Sequence, residues 1–127
     1  MAKITTLPAF LQPLMGKPSI KRECCAVCGR PYPLEQHHIV RRGAGNMYDD
    51  SGHEIKKPTV TLCGFGNNLQ DADGRELCHG LAHANRLHFR WVATKQPIAG
   101  AGHWEYLKTK EPTDYLTALK MKGWKSL

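Results

Sequence analysis

Between Cys24 and Val40 the chain reads CCAVCGRPYPLEQHHIV, a close cysteine pair a few residues ahead of a double histidine. Cys25-Ala-Val-Cys28, followed by Gly29, is a C-x2-C pair, a spacing at which a tight turn can aim two thiolates at one ion. Cys63 and Cys78 are the remaining cysteines apart from Cys24. Each stands beside a predicted element, so the four together would close a tetrahedral zinc site; Cys24 is an alternative to Cys25, and plain buried thiols are the alternative to a metal. A thioredoxin-like redox pair fits poorly, because nothing around the C-x2-C reads as a βαβ unit.

The histidines suggest a second and different site. His37 and His38 are consecutive on a predicted strand, so their side chains point to opposite faces, and one can bind a metal while the other faces substrate. His79 and His83 are spaced i, i+4 on a predicted helix, one above the other, where both imidazoles reach a single ion. Three histidines leave coordination positions open for water and phosphate, which is the character of a catalytic metal site. His88 reads as a packing residue, and His53 and His103 as solvated ones.

These residues need elements to position them. Residues 35–40 and 58–62 read as two strands, joined by a polar, glycine-containing loop over 41–57 whose length suits substrate contact. A second loop follows Cys63, with Gly64, Gly66 and Gly74 as turn residues. Residues 79–95 contain no proline and place Leu81, Ala84, Trp91 and Val92 on one side of a helix, with His79, His83, Arg86 and Arg90 opposite. After a turn at Gly100 and Gly102, residues 103–109 read as a strand. Thr113 is the expected cap of a short helix carrying Leu116, Leu119 and Met121, which Gly123 stops. Pro8, Pro13 and Pro18 make residues 1–20 an extended arm. The division expected is an arm over 1–20, a zinc-stapled domain over 21–95 and an extension over 96–127 packed on it.

With 127 residues and 41% hydrophobic content the chain can bury one modest core, which a metal staple would reinforce. Lys and Arg outnumber Asp and Glu by 18 to 11, and the isoelectric point is about 9.3, which suits a polyanionic partner such as nucleic acid. Five cysteines are an odd count, and the N-terminus has neither a basic start nor an unbroken apolar run. A secreted disulfide scaffold is therefore not expected, and a reducing cytoplasm is. No run approaches the roughly 20 apolar residues of a membrane-spanning helix.

In order, CAVCG, QHHIVRRGAG, VTLCGFG and CHGLAH followed by ANR resemble the HNH endonuclease family of the phage or prophage type. The resemblance covers Cys25 to about Arg90. It implies an α+β fold with a small ββα-metal core, a β-hairpin plus helix stapled by structural zinc on Cys25, Cys28, Cys63 and Cys78. It implies that His38 is the general base, and that His37, His79 and His83 hold a catalytic divalent ion such as Mg2+, Mn2+ or another transition metal. The implied activity is hydrolysis of DNA phosphodiester bonds, with DNA and phage DNA-processing proteins as the class of partners. Arg41 and Arg42, past the histidine pair, and Arg86 and Arg90, on the helix face of His79, stand where phosphate contacts would be useful. One departure is Pro58, which occupies the position of the family's central Asn; Asn67 or Asn68 could supply an amide instead. That departure keeps two alternatives open, an inactive zinc-stapled nucleic-acid-binding module and an accessory subunit of a phage DNA-packaging or recombination assembly.

Overall fold

The computed structural model describes residues 5–94 and 101–127 as a small mixed α/β protein with two antiparallel sheets and few helices. The first sheet is a hairpin of β1 (Leu34–His38) and β2 (Thr59–Cys63), with Glu35 opposite Leu62 and His37 opposite Val60. Period-two alternation puts Glu35 and His37 on one face of β1 and Gln36 and His38 on the other. On that second face Gln36 Nε2 donates to the Ile20 carbonyl at 2.9 Å and to Thr59 Oγ1 at 3.0 Å. The backbone of Ile20 also brackets β2, with its N–H bonded to the Thr59 carbonyl and its carbonyl to the Thr61 N–H. The Cys25 to Cys28 turn is fixed to the same strand by Ala26 N–H donating to the Thr61 carbonyl at 2.9 Å.

Helix α1 (Cys78–His83) follows the second loop and is shorter than its apolar spacing suggests. It ends because Asn85 takes a left-handed conformation, φ 59°, and completes a Schellman cap. The Arg86 N–H reaches the Leu81 carbonyl at 2.9 Å and the Asn85 N–H reaches that of Ala82 at 3.2 Å. Residues past this cap, expected to be helical as far as 95, form instead β3 (Leu87–Ala93), which pairs antiparallel with β4 (Gly102–Lys108). Phe89, Trp91 and Val92 suit a pleated surface, and pairing with β4 overrides a helical periodicity they also satisfy. Trp91 meets Trp104 edge to face across this pair, with centroids 5.4 Å apart. His88 is buried as a packing residue, but in a strand.

The short strand β5 (Lys125–Ser126) closes the second sheet against β4. Before it, α2 (Tyr115–Leu119) is capped by Asp114, whose Oδ1 accepts from the Thr117 N–H at 2.9 Å, and not by Thr113. Leu116 and Met121 of this region are exposed, and Ala118 is the residue it buries. The expected turn at Gly100 and the division between 95 and 96 lie outside the described residues. Because β3 and β4 pair on either side, the C-terminal segment continues the sheet that β3 begins.

The N-terminal arm is not extended throughout. Residues Ala9–Leu14 form a 3-10 helix with Pro13 inside it, and Leu7, Leu14 and Met15 are buried. Trp104 Nε1 donates to the Pro18 carbonyl at 2.8 Å, tying the arm to β4. A single apolar cluster runs from Leu7 and Leu14 through Val60, Leu62, Leu77 and Leu81 to Phe89 and Trp104. No helix of the described residues is long and apolar enough to cross a membrane.

Candidate metal centres

Cys25, Cys28, Cys63 and Cys78 lie near one another, with their sulfurs within 4.8 Å, and such a set can hold a structural metal such as zinc. Tetrahedral zinc at a Zn–S distance of about 2.3 Å places sulfurs about 3.8 Å apart; the Cys28 and Cys63 Sγ atoms are 3.6 Å apart. Cys25 and Cys28 come from the turn pinned to β2, Cys63 from the end of β2, and Cys78 from the start of α1. The cluster therefore ties hairpin to helix. Cys24, the alternative ligand, is outside it, because its neighbour Cys25 is the one turned inward and buried.

The electrostatics of the cluster suit a cation. The Cys78 S–H bonded to it holds the Cys25 thiol down to about 4. Burial pushes the Cys63 thiol up to about 11, and the neighbouring Cys25 sulfur and burial push that of Cys78 upward as well. Without a cation one thiolate is tolerated and further ones repel it; a divalent ion removes that cost and lets all four ionise. The Cys78 N–H, 3.3 Å from Cys63 Sγ, adds a backbone donor to the sulfur.

His37, His79 and His83 form a second group whose ligand atoms lie within 4.8 Å of one another. The Nε2 atoms of His79 and His83 are 3.0 Å apart, close to the roughly 3.3 Å separation of two nitrogens on one tetrahedral ion. His37 faces both rings edge-on, with centroids 5.1 and 5.4 Å away. Burial, reinforced by His79 and His83, depresses its pKa to about 3, so the imidazole is neutral, as a metal ligand must be. His83 is shifted downward by burial and by His79.

Glu35 joins this group, although it was not among the candidate residues read from the sequence. Its Oε1 lies 2.8 Å from His79 Nδ1 and accepts from the Gly66 N–H at 2.7 Å. An Nδ1–H donated to the carboxylate leaves His79 Nε2 as an acceptor toward His83 and His37, the arrangement by which outer carboxylates orient metal-binding imidazoles. The signal for it was the strand period: Glu35 is two residues before His37 and shares its face. Gly64 is fitted to the same contact, since a Cβ there would lie 2.5 Å from the Cβ of His79. It is required by close approach and not as a turn residue, whereas Gly66 and Gly74 do have positive φ.

His38, on the other face of β1, makes no hydrogen bond among the described residues and lines the clefts on both sides of the histidine group. Burial, with Arg42 and Lys57, lowers its pKa and keeps its ring neutral near neutral pH. Arg41 and Arg42 line the cleft that contains His37, His38, His79 and His83. Arg41 Nη2 donates to Asn85 Oδ1 at 3.0 Å. Lys57, whose Nζ donates to the Arg42 carbonyl at 2.7 Å, and Lys56 line the open cleft on the far side of His38.

Arg86 and Arg90 do not share the helix face of His79, because the helix ends before them. Arg86 Nη2 pairs with Glu76 at 3.3 Å and its Nε donates to the Thr109 carbonyl. Arg90 donates through Nε and Nη2 to Glu105 and stacks on Trp124, 4.5 Å from the ring centroid. Neither Asn67 nor Asn68 borders His38: Asn67 lines a shallow recess with His83, and the Asn68 carbonyl packs so tightly on Gly80 that a Cβ there would lie 1.8 Å from it. Asn85, in the ANR that follows the helix, lines a cavity together with His38, and Asn46 lines the cleft on another side of it.

Comparison of the chain with models of known families, with curated proteins and with solved structures finds no match.

Proposed function

We propose that the protein is a metal-dependent DNA endonuclease of the HNH class, with zinc on the four cysteines and a catalytic divalent ion on His37, His79 and His83. One observation carries this reading: a convergent three-histidine group stands beside an imidazole, His38, that has no hydrogen-bond partner among the described residues. A closed structural site would have no use for such a neighbour, while hydrolysis needs both a metal with open positions and a free base.

In this mechanism His38, neutral at working pH, accepts a proton from the water that attacks phosphorus. The bound ion would stabilise charge on the scissile phosphate and on the departing oxygen. Glu35 holds the His79 Nδ1 proton, so that His79 presents Nε2 throughout. Arg41 and Arg42 are the side chains suited to the phosphates next to the scissile one, and Lys56 and Lys57 extend that positive edge beyond His38. Arg86 and Arg90, which already have carboxylate partners, contribute less to nucleic-acid binding than Arg41 and Arg42 in this reading. A net charge of +7 supports association with a polyanion.

The test is cleavage of supercoiled plasmid by purified protein with Mg2+, Mn2+ or Ni2+, beside an EDTA control and the His38→Ala variant. Nicking or linearisation that requires the metal and is lost in His38→Ala is the expected result. Absence of cleavage from folded, zinc-loaded protein would replace the enzyme by a zinc-stapled nucleic-acid-binding module, or by a subunit that acts only with a phage partner protein. The second reading is favoured by Pro58, which provides no side-chain amide at the position of the family's Asn.

A further inference from the structure

A cavity of about 260 Å3 lies behind His38, distinct from the cleft between His37, His79 and His83. Its wall is apolar, built by Phe10, Leu11 and Leu14 from the N-terminal arm and by Leu87, Phe89 and Tyr115 from the second sheet and α2. The rings of Phe10 and Tyr115 stand 6.1 Å apart, and Phe10 is 37% exposed. The polar part of the lining includes His37, His38, Arg41 and Asn85.

This polar part is fixed in place. Asn85 is held by the Schellman cap at the end of α1, and its carbonyl lies 3.0 Å from His88 Nε2. Its side-chain oxygen is taken by Arg41, which leaves the amide nitrogen without a hydrogen bond among the described residues. Asp114 also borders the cavity, with its carboxylate occupied by the N–H and hydroxyl of Thr117. The donors left over thus include the Asn85 amide, the unused N–H groups of Arg41 and the ring N–H of His38.

The volume is below the roughly 300–1,000 Å3 of pockets for drug-sized ligands, and it fits one flat ring system better than a whole nucleotide. Arg41 lines both this cavity and the cleft of the three histidines, so a phosphate it holds has its neighbouring base within reach of the apolar wall. From these features we infer that the cavity takes an unpaired nucleobase of the substrate strand, stacked against Phe10 with an acceptor edge toward Asn85. The inference rests on the nuclease reading and adds the class of substrate: DNA with unpaired bases at the cutting site, such as a single strand, a gap or a mismatch, because a paired base must first leave its stack.

The test uses wild-type protein loaded with zinc, with no other divalent ion added, and an oligonucleotide carrying 2-aminopurine, single-stranded or fully paired. Expected are quenching of 2-aminopurine on binding the single strand and at least tenfold weaker binding of the duplex. Phe10→Ala, at a solvent-exposed position, is expected to lose most of the quenching and roughly tenfold in single-strand affinity, with duplex affinity within about twofold of wild type. Asn85→Asp, which keeps an acceptor for Arg41 and tolerates the left-handed backbone, is expected to change the order of preference among bases. Equal affinity for single strand and duplex, or quenching unchanged in Phe10→Ala, would overturn the pocket while leaving metal-dependent plasmid cleavage to stand by itself. Failure of both the single strand and the duplex to bind would remove both readings together.

Discussion

Glu35 Oε1 sits 2.8 Å from His79 Nδ1, bridging β1 and the first turn of α1. The same oxygen accepts from the Gly66 N–H, and these two donors hold the Glu35 carboxyl below its usual range. One carboxylate thus fixes which nitrogen His79 offers to a metal and where the loop after β2 lies.

Replacing Glu35 by Ala is therefore expected to weaken divalent-metal binding at the histidine group about 10- to 100-fold, with zinc at the cysteines unchanged. Titration calorimetry with Ni2+ on zinc-loaded protein measures this directly. An affinity equal to wild type would show that the carboxylate does not orient the ring.

Gly64→Ala should act on the same ring by a different route. The added methyl would sit 2.5 Å from the His79 Cβ, so α1 or the end of β2 must shift. We expect a loss of metal affinity comparable to Glu35→Ala together with a stability loss of about 1–3 kcal/mol, read by denaturant unfolding. Gly43→Ala, where a Cβ meets nothing within 4 Å, is the control and should be near neutral.

Removing a metal from the cysteine cluster should be far more damaging than removing one from the histidine group. Structural zinc sites contribute roughly 10–16 kcal/mol of apparent binding energy, comparable to or larger than the roughly 5–15 kcal/mol stability of a whole domain. Cys63→Ser or Cys78→Ser is expected to abolish cooperative thermal unfolding, followed by circular dichroism, whereas Cys24→Ser should leave it intact.

Acid should destabilise the protein when no ion occupies the histidine group. His37 is buried and its folded pKa is depressed to about 3, so between pH 6.5 and 3 the unfolded chain binds a proton that the folded one refuses. Stability is thus fully present above pH 6.5 and declines on acidification through that window. His38, His83 and His88 are shifted in the same direction, chiefly by burial, and add to the slope. Urea titrations at successive pH values should give at least about 1.4 kcal/mol per pH unit near pH 5, and His37→Asn should reduce it.

The two pairs of arginines should separate cleanly. If the protein acts on DNA as proposed, Arg42→Ala is expected to weaken DNA binding and to lower the slope of log affinity against log salt by about 0.7–0.9, the effect of losing one phosphate contact. Arg90→Ala is expected instead to cost stability through Glu105 and Trp124 and to leave that slope within error. Fluorescence anisotropy over a salt series distinguishes them.

Local chemistry was legible in the chain itself. The C-x2-C turn with two further cysteines at element ends, the period-two strand that separates His37 from His38, and the i, i+4 spacing of His79 and His83 are consequences of spacing within single elements, and neighbours along the chain determine them. The extent of α1 was not legible, because residues 79–95 satisfy a helical period and a strand pattern about equally. The left-handed Asn85 and the partner strand β4 decided between them, and with the helix ended, Arg86 and Arg90 went to Glu76 and Glu105 instead of the histidine face. Glu35 at His79, Arg41 at Asn85, Gly64 against His79 and the Phe10 wall all join segments far apart in sequence. Such contacts depend on how sheets, helix and arm pack in three dimensions, and no local spacing encodes that packing.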